Sequence, residues 1–513
     1  MNKKIVYPML LIASIFFVWC YTYCFDEKLN INGDNCTYIM LARNLSKGLG
    51  YSTITQQGIE PTSVFPPGYP FFLSLFIRCG LDTLVFFKAV NGFLLFLSLL
   101  LLSYVVGKSI KQGYLVFSVF ILCMMSPRLQ EFASMAMSEM LFCFCCMLTL
   151  FSLYKYAEKE KERKDGGKYH LSLWFFVAII SSVYAFHTRT IGLAILPSVI
   201  VFFLFRREWK TSIIATIVMG LLLSPWQIRN RLYGFSSRYL QETMYVNPWR
   251  PEEGTIDSFS GILRKVMDCL DEVFVKGFKS VLFPFISVED GEQSGLLAIL
   301  FSLILLAVIL YGMWNFKKVR WFMIAFLLGN LGILSLWHSG NGTRYLTPLI
   351  PLLYFSFYAG LYFIVLKVSK NRIREHSPFM LLTLLLIFVM FPPLEQRHKE
   401  AHYPLNPAYK NYYTIAKEMN RRLPKGTVVC CRKPELFSYY APKLIACKYV
   451  FDVDTEKVLE GLRKSNVEYV ILEQLGYSST IRYLLPTINQ HPQHFQIVWQ
   501  LEYPDTYLLK FSK

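Results

Sequence analysis

The run IVYPMLLIASIFFVWCYTYCF, from Ile5 to Phe25, is followed six residues later by NGDNCTYIMLARNL, from Asn32 to Leu45. The first piece is apolar and uncharged throughout. A helix of ~20 such residues crosses the hydrocarbon core with every backbone group bonded internally. The second piece puts a single carboxylate, Asp34, at the start of an amphipathic helical pattern just past the membrane edge. Met1-Asn2-Lys3-Lys4 ahead of the run resembles the opening of a secretory signal. However, the run outlasts the ~7–15 residues of a signal core and no small-x-small cleavage site follows, so it reads as a retained first span.

Composition extends that reading to most of the chain. Of 513 residues, 54% are hydrophobic and only 17% charged, against about 25% charged in ordinary soluble domains. A purely soluble protein is excluded. The formal charge of +18 would suggest nucleic acid in a soluble chain. Here the basic residues cluster at the ends of apolar runs, where the cytoplasmic bias of Lys and Arg accounts for them. No nucleic-acid partner is expected.

Spans are predicted at 5–25, 84–107, 113–127, 138–156, 171–188, 190–206, 210–228, 293–316, 319–337, 345–367 and 377–393, eleven in all. The clusters Lys3/Lys4, Lys108/Lys111, Lys155 to Lys168, Arg206/Arg207/Lys210, Lys317/Lys318/Arg320 and Lys367 to Arg374 then share the cytoplasmic side, provided that Pro66 to Cys79 lies along the interface. The amino terminus is expected to be cytoplasmic. Loops 26–83, 128–137 and 229–292 and everything after Pro393 are expected to be periplasmic, in a bacterial inner membrane. The chain thus divides into a membrane domain, 1–393, and a soluble tail, 394–513. In the tail, β-rich runs (Thr427 to Cys431, Leu444 to Phe451, Val467 to Glu473, Phe495 to Leu501, Thr506 to Phe511) alternate with helical patterns at Tyr409 to Leu423, Thr455 to Lys464 and Thr480 to Gln490. That alternation predicts a small α/β domain of Rossmann-like layering. No Gly-x-Gly-x-x-Gly opens a helix there, so no nucleotide site is expected. The predicted fold class is a polytopic α-helical membrane protein with a small C-terminal α/β domain. The cysteines show neither a disulfide framework nor a zinc spacing.

Asp34 admits two readings on spacing alone. A carboxylate at the membrane surface can act as a general base toward an acceptor hydroxyl. An Asp ahead of Tyr38-Ile39-Leu41-Ala42 can equally cap a helix.

The order Asp34, Tyr38, Ala42, Leu45, Gly48, Gly50, Tyr51 and Pro66-Pro67-Gly68-Tyr69-Pro70 resembles the first periplasmic loop of GT-C glycosyltransferases. These polytopic enzymes include protein O-mannosyltransferases, lipid A aminoarabinose transferases and rhizobial lipopolysaccharide-core transferases. The resemblance continues through Ser138-Glu139, Pro225-Trp226-x-x-Arg229-Asn230 and Arg344-Tyr345-Leu346-x-Pro348, and so covers residues 1–393. It implies transfer of a sugar, hexosyl or pentosyl, from a polyprenyl-phosphate donor to an extracytoplasmic glycan, lipid or protein, with Asp34 as the base. It also points Arg344 at the donor phosphate. An arginine at a helix end presents a planar fork to phosphate oxygens, and Arg189 and Arg229 are boundary arginines of the same kind, each also readable as a side chain snorkelling to the interface.

Glu139 matches a position where relatives carry an acid facing the cavity, for acceptor positioning, metal contact or pairing with an arginine. It also reads as an acid at a helix N-terminus. Tyr69 belongs to the Pro-Pro-Gly-Tyr-Pro motif and is taken with the substrate-binding set. Glu60 joins that set as the second acid of the first loop, although it is not adjacent to Pro66-Pro67 as the acid of the aminoarabinose transferases is. No cofactor is fixed by these residues, and a divalent metal stays open. Some relatives bind a divalent metal, but His187 and His338, the histidines nearest the outer edge, lack a partner at metal-ligand spacing. Two other classes compete. A transporter or flippase of lipid-linked sugars would show repeated halves and polar mid-membrane helices, and neither is visible here. A polysaccharide polymerase would share large outer loops but not the pattern from Asp34 to Pro70.

Overall fold

The structure, a computed structural model, describes residues 3–31, 33–55, 58–110, 112–159, 172–235, 243–247, 250–286, 293–337, 342–369 and 377–512. The expected cytoplasmic loop beyond residue 159, most of the basic stretch at 367–374, and His338 lie outside the described residues.

The first apolar run forms α1 (Lys3–Tyr23). The loop after it folds into α2 (Asp34–Ser46), an antiparallel hairpin β1–β2 (Ser52–Thr55 and Gly58–Pro61) and α3 (Gly68–Arg78). Helices then follow the apolar runs: α4 (Leu84–Ile110), α5 (Gly113–Met124), α6 (Pro127–Ala133), α7 (Glu139–Glu158), α8 (Leu173–Thr188), α9 (Ile195–Phe205) and α10 (Trp209–Leu232). The second long loop carries α11 (Phe259–Leu270). After it come α12 (Leu296–Trp314), α13 (Arg320–Ser335), α14 (Ile350–Val368) and α15 (Ser377–His402).

Five stretches are long and apolar enough to cross a membrane alone: Leu84–Ile110, Glu139–Glu158, Trp209–Leu232, Leu296–Trp314 and Thr343–Val368. A sixth candidate is α5 with α6, bent by 63° where Ser126 precedes Pro127. The shorter apolar stretches, Leu11–Tyr23 within α1, Leu173–Thr188, Thr190–Phe205 and Arg320–Ser335, have 10–17 residues. Among the described residues, five or six stretches therefore qualify as crossings by length and composition, and the eleven that the sequence pattern predicts are not confirmed. The 11 residues of α3 reach only about 16 Å, too short for a hydrocarbon core of ~30 Å. Its Phe71 and Leu75 are exposed while Tyr69 and Leu73 are buried, the pattern of a helix with one packed side.

Packing separates a protein-facing from an outward-facing surface. Ile213, Ile217 and Leu221 repeat every fourth residue of α10 and are all exposed, an apolar stripe that suits lipid rather than water. Between α12 and α14 the backbones meet closely. A Cβ at Gly312 would strike the Ser356 carbonyl oxygen, and one at Gly360 that of Val308, the small-residue contact common between membrane helices.

The two ends of α7, about 30 Å apart, differ in chemistry. At its C-terminal end Glu158 pairs with Lys155 at 2.6 Å and Lys318 at 3.8 Å, and Tyr156 donates to Glu208 at 2.6 Å. At its N-terminal end the first loop, the second long loop and the tail touch one another. Glu435 packs beside Gly33, and Tyr483 donates to Glu252 at 2.8 Å.

The tail is a five-stranded sheet of β3 (Val428–Cys430), β4 (Ile445–Cys447), β5 (Tyr469–Leu472), β6 (Phe495–Leu501) and β7 (Thr506–Phe511), in the order β4-β3-β5-β7-β6. Alternate residues face opposite layers. Val429 and Ile471 pack under α16 (Pro407–Arg422) and α17 (Pro434–Tyr440), whereas Val428 and Val470 pack under α18 (Thr455–Lys464) and the helical stretch ending in α19 (Leu485–Gln490). β4, β3 and β5 are parallel, which fits the expected layering, but β6 and β7 pair antiparallel. The link from Leu501 to Thr506 is too short for a crossover, and so it closes a hairpin. The cysteines are all free thiols.

Candidate active site

Two helix N-termini and two arginines meet at the end of the helical bundle that faces the tail. α2 begins at Asp34 and α7 at Glu139, so each carboxylate stands where the free amides of its helix make the local field positive. Gly33 occupies the cap position of α2 at φ +91°, a left-handed conformation that glycine adopts without steric cost. Among the described residues the Asp34 side chain makes no capping bond. Its Oδ2 instead accepts from Nη2 of Arg344 at 3.0 Å.

Arg344 sits in the short helix Gly342–Leu346, ahead of α14, and its fork reaches both acids. Its Nε donates to Oε1 of Glu139 at 2.9 Å, and the same oxygen lies 2.8 Å from Nη1 of Arg189. Glu139 has no solvent exposure, and the side chains of Arg189, Arg344 and Asp34 are 10%, 17% and 32% exposed. Two positive and two negative charges therefore balance in a partly closed site whose outermost member is Asp34. Its Oδ1 has no bonding partner among the described residues.

A ring of neutral groups fixes this cluster. Ser138, which precedes α7, makes no capping bond. Its hydroxyl accepts from Arg189 at 3.0 Å and lies 3.2 Å from the hydroxyl of Tyr38. Tyr38 meets Tyr69 edge to face at 5.2 Å. Nδ2 of Asn91 faces the Tyr69 hydroxyl at 3.1 Å and the carbonyls of Met135 and Met137 at 2.6 and 2.8 Å, and so pins the segment leading into Glu139. Asn91 was not singled out from the sequence. Its signal there is an amide inside the apolar run of α4, since polar groups at membrane depth need a partner.

The remaining sequence-derived positions lie elsewhere. Arg229 donates to the carbonyls of Thr62 and Tyr51 at 3.0 and 2.9 Å and lies over the Trp226 ring, clasping the end of α10 to the first loop. Glu60 lies opposite Thr53 in the hairpin, with no ion pair among the described residues. His187 and Arg229 line an apolar cavity of 420 Å³ together with Tyr51, Gly68, Tyr184 and Trp226. No three His, Cys, Asp or Glu side chains converge as a metal site among the described residues. The two acids of the cluster are held by Arg344, which makes them an incomplete ligand set for a divalent cation.

The fold and site define a membrane protein that gathers an acid–arginine cluster at one end of its helical bundle, beside a small α/β domain. No known family pattern and no curated protein matches the chain in sequence. Solved structures do match in fold. The oligosaccharyltransferase of Archaeoglobus fulgidus, tethered to an acceptor peptide, aligns with a TM-score of 0.60 over 100% of this chain and 74% of its own, at 12% identity. ArnT from Cupriavidus metallidurans, bound to undecaprenyl phosphate, aligns with a TM-score of 0.59 over 99% and 98%, at 10% identity. In fold the chain is similar to these two enzymes, both of them GT-C glycosyltransferases.

Proposed function

We propose that this chain is a membrane glycosyltransferase that moves a sugar, hexosyl or pentosyl, from a polyprenyl-phosphate donor to a hydroxyl of a periplasmic glycan, lipid or protein, with Asp34 as the base. The observation that carries the reading is the Arg344 guanidinium held between Asp34 and Glu139 at the edge of the helical bundle. The likeness in fold to an ArnT bound to undecaprenyl phosphate supports a lipid-linked donor. The apolar cavity lined by Tyr184 and Trp226 suits a stretch of the isoprenoid chain better than a sugar.

In the reaction the acceptor O–H gives its proton to Asp34 and its oxygen bonds to the anomeric carbon. The bond from that carbon to the phosphate oxygen breaks, leaving polyprenyl phosphate with one more negative charge. Asp34 loses a negative charge in the same step. Arg344, already bonded to Asp34, can then turn its fork to the departing phosphate. Glu139 holds Arg344 and Arg189 in place from the buried side.

The test is transfer by the purified protein from synthetic undecaprenyl-phosphate hexoses and pentoses to delipidated envelope glycans. Asp34→Asn keeps the shape of the side chain but cannot take a proton. General-base catalysis contributes about 10²–10⁴-fold, so turnover falls by at least the lower figure at matched folded protein. Near-parental turnover in Asp34→Asn refutes the assignment. Movement of a lipid-linked sugar across vesicles with no new glycosidic bond places the chain among flippases instead.

A further inference from the structure

A second polar site lies where the tail meets the second long loop. A cavity of 310 Å³ is lined by Arg250 from the loop and by Arg432, Lys433 and Arg482 from the tail, with Tyr477 and Ser478 also in its wall. Four cations line it and no carboxylate does. Two of the cations have acids just outside, Glu253 at 3.1 Å from Arg250 and Glu252 at 3.1 Å from Arg482. Arg432 has no acid within ion-pair distance among the described residues, yet it is 9% exposed.

Arg432 is also held still. Its guanidinium lies over the rings of Phe451 and Tyr477, 5.0 and 4.5 Å from their centroids, and its Nε donates to Ser479. Phe451 stacks in turn on Tyr483 at 5.4 Å. A cation packed on two rings and bonded to a hydroxyl has already lost much of its rotamer freedom. Glu473 acts on this cation only from beyond ion-pair distance and is not part of the cavity wall, so an incoming oxyanion meets a preorganised planar donor. The cavity is roomier than one tetrahedral anion fills, and Ser478, Ser479 and Tyr477 in its wall carry hydroxyls that suit further hydroxyl groups.

The position of the cavity ties it to the candidate active site. Arg432 and Lys433 run directly into Pro434 and Glu435, and Glu435 packs against Gly33, next to Asp34. Three residues reach at most about 11 Å. We propose that this cavity binds the anionic group, phosphate or carboxylate, of a saccharide chain, and that in the reading above this chain is the acceptor, gripped beside Asp34. The second half rests on the transferase reading; the first does not.

The test is direct binding to the full-length protein in detergent, measured by calorimetry without turnover. The probes are mannose 6-phosphate, glucuronic acid, mannose, inorganic phosphate and a hexaglutamate peptide. Mannose 6-phosphate or glucuronic acid should bind, and mannose should not. Arg432→Gln should weaken binding about ten- to a hundredfold, the usual effect of losing a charged hydrogen bond. Lys433→Gln, at a less buried position, should weaken it severalfold and decides the matter should Arg432→Gln not fold. Asp34→Asn should bind as the parent does, which separates this site from a failure of the catalytic assignment. Parental binding in both Arg432→Gln and Lys433→Gln overturns the proposal. So does tighter binding of inorganic phosphate or hexaglutamate than of either acidic sugar, or equal binding of mannose.

Discussion

Replacing Glu139 by Gln tests the charge balance of the cluster. The side chain is fully buried, and its Oε1 lies 2.8 Å from Arg189 and 2.9 Å from Arg344. Glu139→Gln keeps size and an acceptor oxygen, but two guanidiniums, 10% and 17% exposed, then face only Asp34. Removing one partner of a buried ion pair costs about 3–5 kcal/mol, because the other charge stays buried without compensation. Here Asp34 still holds Arg344 at 3.0 Å, and Ser138 still accepts from Arg189 at 3.0 Å. The lower figure, about 3 kcal/mol, is therefore expected, roughly a hundredfold in the folded-to-unfolded ratio. Adding Arg189→Gln restores neutrality, with Arg344 and Asp34 remaining as one pair. The double variant should accordingly unfold at a higher temperature than Glu139→Gln alone. The assay is thermal unfolding in one detergent at one scan rate, since membrane proteins often unfold irreversibly. All four members of the cycle are compared, so that the coupling between the two sites is read directly. An unchanged midpoint in Glu139→Gln, or a double variant that loses the sum of the two singles, would show that the charges are not balanced as the geometry implies.

Three further outcomes are expected. Arg344→Lys keeps the charge, but one ammonium cannot replace a fork whose Nε and Nη2 reach different acids; kcat/KM for a polyprenyl-phosphate sugar should fall about ten- to a hundredfold, and an unchanged value removes Arg344 from the site. In the tail, burial raises the carboxyl of Glu473 above its ordinary value of 4.5, an effect only partly offset by bonds from Thr480 and the Leu475 amide and by Arg432. The folded state then holds this proton more tightly than the unfolded chain, and stability is lost as pH rises from 4.5 through the raised value; Glu473→Gln should flatten that slope and be no less stable than the parent at pH 7, as measured by thermal unfolding at pH 4.5 and 7. A reporter active only in the periplasm, fused after Lys513, should be active, because the tail packs on the same end as Asp34; activity of a cytoplasmic reporter instead inverts the orientation read from the basic clusters.

The membrane character, the helices and the Asp34 loop are legible in the sequence because each depends on local chemistry. Lipid obliges long apolar runs to form helix, and so α4, α7, α10, α12 and α14 follow the hydropathy closely. The continuous apolar runs through Val428, Val429 and through Val470, Ile471 mark strands with two buried faces in the same way. The arrangement of the last two strands was less accessible, since parallel and antiparallel partners share the same alternation and only the short link before Thr506 distinguishes them.

Tertiary structure alone decided which charges meet. Arg344 finds Asp34 across 310 positions and Glu139 across 205, and nothing local to any of the three specifies the other two. Boundary arginines look alike in sequence, yet Arg189 enters the cluster while Arg229 is spent on the carbonyls of Tyr51 and Thr62. Spacing left Asp34 open between a cap and a base. The fold puts Gly33 in the cap position and turns the carboxylate to Arg344, because a left-handed glycine there lets the chain enter the helix one residue earlier. The cavity around Arg432 has the same origin. Its walls come from segments nearly two hundred positions apart, and a cation's worth depends on which anions share its neighbourhood, a property of three-dimensional distance that sequence order does not carry.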